Sequence, residues 1–218
     1  MVPAVSFSPP AVAALDTDSL APRSEPTSAH GLPILIVPGL NGSCPRHWQS
    51  HWQRNLSRAQ RVEQVDWDQP TLGEWTASLV EAVRQNPGAL LVAHSLGCAL
   101  VAHMAAITGG RGVGGALLVA PADVDRATSA GTALAGFAPM PRQRLPFPSV
   151  VVASRNDPFV AIERAAMFAH GWGAVFKDLG EVGHINVASG HGPWTEGLAH
   201  LGALAGLVGC AAPPIYQT

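Results

Sequence analysis

Ala89-Leu-Leu-Val-Ala-His-Ser-Leu-Gly-Cys-Ala-Leu-Val101 decides the fold. An apolar run of strand character stops at His94-Ser95, and a small-residue, helix-compatible run begins at once. A serine on so sharp a strand-to-helix turn has its hydroxyl pushed out at the carboxyl end of a sheet, with the following backbone N–H groups aimed at whatever it attacks. The pentapeptide is Ala93-His94-Ser95-Leu96-Gly97, so alanine replaces the first glycine of a G-x-S-x-G nucleophile elbow. Small residues flank such a serine because the strained turn leaves no room for larger ones, and alanine is the mildest departure.

Outward from the elbow, strands and helices alternate. Pro33-Ile-Leu-Ile-Val37 is a buried-strand run closed by Pro38-Gly39, and Pro45 to about Leu56 reads as a helix capped near Ser43 or Cys44. Arg61 to Asp66 alternates like a strand. Thr71 caps a helix to about Gln85, which Asn86-Pro87-Gly88 ends. Ala89–His94 is the elbow strand and Leu96–Ile107 its helix. Strands follow at Gly115–Ala120, Ser149–Ser154 and Ala174–Asp178, with helices at Ala161–His170 and Pro193–Val208. Six strands separated by helices predict a doubly wound, mostly parallel α/β sheet covered on both faces. Its site belongs at the carboxyl ends of the strands, near the point where strand order reverses.

Composition narrows the function classes. The chain has 218 residues, 47% hydrophobic and only 13% charged, which fits one core-rich domain. A net charge of -2, without a Lys/Arg cluster, gives no electrostatic case for nucleic acid. No apolar run reaches the ~18 residues of a membrane span. The 3 cysteines, Cys44, Cys98 and Cys210, are scattered, which fits a reducing, cytoplasmic compartment. Residues 1–30 are rich in Pro, Ala and Ser with no basic residue before Arg23; they read as a flexible tail, with a degenerate export signal as the alternative. Residues 31–218 form the single expected domain.

A serine hydroxyl needs a base to take its proton, and the base needs a carboxylate to hold its tautomer. After Ser95 come Asp157, in Ser154-Arg-Asn-Asp-Pro-Phe-Val160, and His184, in Glu181-Val-Gly-His-Ile-Asn186. Both follow strands, on the same sheet edge as Ser95. That serine, acid, histidine order is the one used by the α/β hydrolases. Asp123 or Asp125 are the substitute acids, and His191 is the substitute base. His94 alternates away from the hydroxyl and reads as structural support. The oxyanion donors are the Leu96 N–H, at the start of its helix, and an N–H of the Pro38-Gly-Leu-Asn-Gly42 loop, Leu40 before Asn41.

That loop lacks the Lys-Ser/Thr ending of a phosphate-binding loop. His47 and His51 have metal-compatible spacing, but Trp48 stands where a zincin has glutamate, so packing is the reading. Trp48, Trp52, Trp67 and Trp75 read mostly as core, with one of them a candidate wall for an acyl pocket.

Pro38-Gly-Leu-Asn-Gly, His47-Trp-Gln, the Trp67–Trp75 stretch, Ala93-His-Ser-Leu-Gly, Asn156-Asp-Pro and Gly183-His-Ile-Asn occur in that order. The set resembles the small YdeN-like serine hydrolases, related to the retinoblastoma-binding-protein type, over about Leu32 to Val208. The resemblance implies an α/β-hydrolase fold without metal or cofactor and Ser95, Asp157 and His184 as the triad. Pro38 stands where many hydrolases of the superfamily have histidine before the loop glycine. The interval Pro121–Pro148, where such folds carry a lid, can hold a short helix at most. An open site of that kind suits small or short-acyl esters, so the expected activity is a carboxylesterase. Amidase, thioesterase or peptidase chemistry on the same triad is the runner-up, and a hydrolase-fold binding module with little turnover is the rival from another class.

Overall fold

The computed structural model describes residues 31–126 and 132–211; the expected tail, residues 1–30, lies outside them. The strands are β1 (Ile34–Val37), β2 (Ala59–Arg61), β3 (Ala89–His94), β4 (Val113–Val119), β5 (Ser149–Ala153) and β6 (Val175–Asp178). The helices are α1 (Trp48–Asn55), α2 (Leu72–Gln85), α3 (Leu96–Thr108), α4 (Ile162–Trp172) and α5 (Leu198–Ala211). The strands form one 6-stranded sheet in the order β2-β1-β3-β4-β5-β6. Every pairing is parallel.

Strand β3 lies between β1 and β4, and all its residues are buried. Period-two alternation sorts them: Leu91 and Ala93 pack with α2, α3 and α4 residues such as Trp75, Leu100 and Phe168. Leu90 and Val92 face Trp48 and Trp52 of α1 and Leu204 of α5. A strand buried on both faces must be apolar throughout, which is why β1, β3 and β5 read as unbroken runs. From β1 the chain moves outward to β2, then returns to place β3 on the other side. The loops leaving β1 and β3 therefore diverge at the reversal point and leave a crevice at their carboxyl ends.

Three elements depart most from the sequence reading. Strand β2 is Ala59–Arg61 rather than Arg61–Asp66, because β1 ends at Val37: the Val62 N–H still bonds Ile36 O at 2.9 Å, and then the partner strand is gone. Helix α1 starts at Trp48, not Pro45, and its cap is neither Ser43 nor Cys44. His47 keeps extended backbone and its Nδ1 accepts from Gln49 N at 3.2 Å, while the Ser43 hydroxyl donates to Gln49 Oε1 at 2.6 Å. Helix α5 begins at Leu198, after a 3-10 turn at Thr195–Gly197 that follows the left-handed Trp194. Among the described residues no helix is long and apolar enough to cross a membrane.

Candidate active site

Ser95 caps α3 with φ 55 and ψ -121, a conformation that a side chain adopts only under constraint. The constraint is backbone on both sides. The Ser95 N–H donates to Val119 O at 3.0 Å, extending the β3–β4 ladder, and the Ser95 carbonyl accepts from Cys98 N at 3.0 Å to start the helix. A Cβ on Gly97 would lie 2.4 Å from Val37 O, and one on Gly39 would lie 3.0 Å from both Leu96 N and Ser95 Cβ. The loop after β1 therefore presses directly on the elbow, and both positions require glycine.

The structure brings Ser95, His184 and Asp157 together from three loops. Ser95 Oγ lies 3.0 Å from His184 Nε2, and His184 Nδ1 lies 2.8 Å from Asp157 Oδ2. A carboxylate only accepts, so Nδ1 carries the proton and Nε2 presents its lone pair to the serine hydroxyl. Asp157 Oδ1 accepts from Phe159 N at 2.8 Å, which fixes the other oxygen on the imidazole. Asp157 and His184 are buried, whereas Ser95 is partly exposed.

The substitute residues are engaged elsewhere. Asp123 accepts from Arg164 Nε at 2.9 Å and Nη2 at 2.8 Å, and Asp125 accepts from the same guanidinium at 2.9 Å and from Met140 N at 2.8 Å. His191 Nδ1 lies 3.2 Å from Ser189 Oγ. His94 turns toward α1, with its ring 4.9 Å from that of His47. Burial holds both His94 and His47 neutral: His94 is driven well below the ordinary histidine value, and His47 to about 4, with the nearby charge of Arg61 adding to the effect. Among the described residues no cluster of His, Cys, Asp and Glu is arranged to hold a metal ion.

In the loop after β1, the Asn41 N–H is taken by Trp67 O at 2.8 Å. The Leu40 N–H has no backbone partner among the described residues. Of the tryptophans considered for a pocket wall, Trp67 is half-buried and lies against Gly42, while Trp48, Trp52 and Trp75 are buried in the core. Cavities of about 490 and 500 Å³ open beside Pro148-Ser149 and Gly112, at the amino ends of β5 and β4, far from the elbow. In the described part of the Pro121–Pro148 interval the only helical element is the 3-10 turn Ala135–Phe137.

Some contributors escaped the sequence reading. Asn156 Oδ1 accepts from Gly183 N at 2.6 Å, so adjacent residues grip the histidine loop by its backbone and its imidazole. Phe159 is 49% exposed with its ring 4.5 Å from that of His184, an apolar face at the mouth of the site. Arg164 cross-links Asp123 and Asp125 beneath the acid loop, and the Asp123 N–H donates to Phe159 O at 3.1 Å. An aromatic directly after Asp157-Pro158 is the one signal of these that the sequence carries.

A family model described as serine hydrolase matches residues 34–203. The chain belongs to the serine hydrolase family. This serine hydrolase is also similar to a YdeN-like hydrolase from Pectobacterium atrosepticum, with 32% identity over 83% of this chain and 94% of that one and a TM-score of 0.73. The ydeN gene product of Bacillus subtilis is 20% identical over 79% of this chain and 98% of its own, with a TM-score of 0.66. A thermophilic esterase from Thermogutta terrifontis shares the fold at 14% identity, a TM-score of 0.54, and 79% and 87% coverage. The search of curated proteins gave no match. The fold is the α/β-hydrolase fold, with an all-parallel sheet.

Proposed function

We propose that this serine hydrolase is a carboxylesterase that cleaves small or short-acyl esters through an acyl-enzyme. The observation that carries the reading is the unbroken hydrogen-bonded path from Ser95 Oγ through His184 to Asp157. Ser95 attacks the ester carbonyl while His184 Nε2 takes its proton. Asp157 holds the imidazole by Nδ1 and stabilises the imidazolium that forms. The N–H groups of Leu40 and Leu96 receive the oxyanion. Asn41 is the weaker choice because its N–H already bonds Trp67 O. His184 then protonates the leaving alkoxide. Water, activated by the same nitrogen, releases the acid and restores Ser95.

Substrate size follows from the surroundings. Ser95 is partly open, and the described residues of the lid interval contribute one short turn. Trp67 and Phe159 supply apolar walls for a small acyl or alcohol group. The free Cys44 and Cys98 support a cytoplasmic setting.

Ser95→Ala should abolish p-nitrophenyl acetate hydrolysis, by about a millionfold in kcat, while circular dichroism and the melting temperature stay near wild type. A fluorophosphonate should modify wild-type protein at Ser95, located by peptide mass mapping. Unmodified, folded protein would instead make the chain a binding module. Relative turnover of matched ester, thioester and amide substrates ranks the runner-up chemistries.

A further inference from the structure

Ile185, the residue after the proposed base, has φ 47 and is completely buried. A β-branched side chain in the left-handed region is an outlier that only its surroundings can maintain. The peptides on both sides of its Cα are held by buried side-chain donors. The His184 carbonyl lies 2.9 Å from His94 Nε2, and the Ile185 carbonyl accepts from Trp48 Nε1 at 2.8 Å. A carbonyl only accepts, so His94 must carry its proton on Nε2. The donors come from different elements: His94 is the last residue of β3 and Trp48 the first of α1. Both side chains are buried. The rest of the turn is tied on its other side, Gly183 N to Asn156 Oδ1 at 2.6 Å and Asn186 N to Ser189 Oγ at 2.9 Å.

We infer that Trp48 and His94 are positioning residues for His184: their two donors grip the peptides flanking Ile185 and hold the left-handed turn that aims the imidazole at Ser95. The inference rests on the proposed role of His184 as base. Without either donor, a buried carbonyl loses its partner and Ile185 is free to relax toward negative φ, which swings the preceding side chain away from the 3.0 Å contact with Ser95 Oγ. Both side chains are buried behind the turn rather than open to solvent, so turnover should fall while binding stays. The same arrangement gives a task to the first two residues of the His47-Trp-Gln segment. Trp48 supplies the donor, and the His47 ring packs 4.9 Å from His94 as it caps the helix on which Trp48 sits.

Trp48→Phe and His94→Phe keep an aromatic ring and remove the donor, and Trp48→Phe also removes buried ring volume, a loss that the control below shares. Each should lower kcat for p-nitrophenyl acetate by about 100-fold with KM unchanged, and should remove the low-field Nδ1 proton resonance of the His184–Asp157 hydrogen bond. His94→Gln, which restores a donor, should recover part of that kcat. Trp52→Phe is the structural control. It loses an indole bond to Pro193 O, 3.2 Å in the native protein, and a ring stacked on Trp194, while its packing partner Trp48 keeps the donor to the turn. Its melting temperature should drop while kcat and the low-field resonance persist. Wild-type kcat and resonance in Trp48→Phe and His94→Phe, or an equal loss of kcat in Trp52→Phe, would overturn the inference. If His94→Phe does not fold, Trp48→Phe decides. Retained activity in Ser95→Ala is a separate result that strikes the underlying catalytic reading.

Discussion

Two buried aspartates follow neighbouring strands, and their partners assign them different work. Asp157 faces His184 and the Phe159 N–H, whereas Asp123 is clasped by Arg164. Replacing Asp157 with asparagine keeps the shape but offers an amide that can donate to Nδ1, which favours the wrong imidazole tautomer. Asp157→Asn should therefore reduce kcat by about 10,000-fold with little change in melting temperature. Asp123→Asn removes a charge-assisted pair from a guanidinium that Asp125 still holds. It should cost about 1–2 kcal/mol of stability, measured by urea denaturation, and leave kcat within a few-fold of wild type. The opposite pattern would transfer the acid to Asp123.

At the scale of elements, the β3–α3 turn works because two backbones touch. Ala93 sits in the core opposite Val37 of β1, and its methyl fits there. Gly97 has no such allowance, since a Cβ would meet Val37 O at 2.4 Å and Pro38 O at 2.7 Å, and neither carbonyl can move without breaking the β1 exit. Gly97→Ala should destabilise the protein by at least the ~1–3 kcal/mol typical of overpacking, read as a lowered denaturation midpoint. This asymmetry explains why the irregular pentapeptide was still legible as an elbow: the glycine it keeps is the one the sheet demands. Strands buried on both faces were legible for a related reason, as continuous apolar runs need no knowledge of their neighbours. The edge strand β2 and the start of α1 were not, because one depends on where β1 stops and the other on an imidazole lone pair acting as a cap. Ser95, Asp157 and His184 could be picked by chain order and post-strand position. The donors that hold the His184 turn could not, because Trp48 and Ile185 are 137 residues apart and meet only in the folded chain.

Across the whole molecule, α1 packs against the ends of β3 and the His184 loop through a row of imidazoles. The rings of His47 and His94 lie 4.9 Å apart, and those of His94 and His184 lie 4.8 Å apart. The first two are buried, have no carboxylate partner among the described residues and stay neutral, so they add no positive charge beside the imidazolium proposed to form on His184. Neutrality makes stability depend on pH. In the unfolded chain His47 protonates near the ordinary 6.5, whereas in the folded protein burial, and secondarily Arg61, lower its value to about 4. A histidine with a depressed value stabilises fully above 6.5. Its contribution is lost as pH falls toward 4, because the unfolded state binds the proton first. For His47 that loss amounts to about 2 kcal/mol by pH 5, and His94, pushed down mainly by burial, adds to it in the same direction. Carboxylates such as Glu81, whose ordinary value is 4.5 and which hydrogen bonds from Arg84 and Gln85 bring to about 2, respond only at lower pH. The interval from 6.5 to 4.5 therefore belongs to the histidines. Urea denaturation at pH 7 and pH 5 should show a loss of stability for wild type. His47→Asn, whose side-chain oxygen can still cap α1 but does not titrate, should lose about 2 kcal/mol less over the same interval. Equal losses in the two proteins would mean that His47 is not the group that titrates.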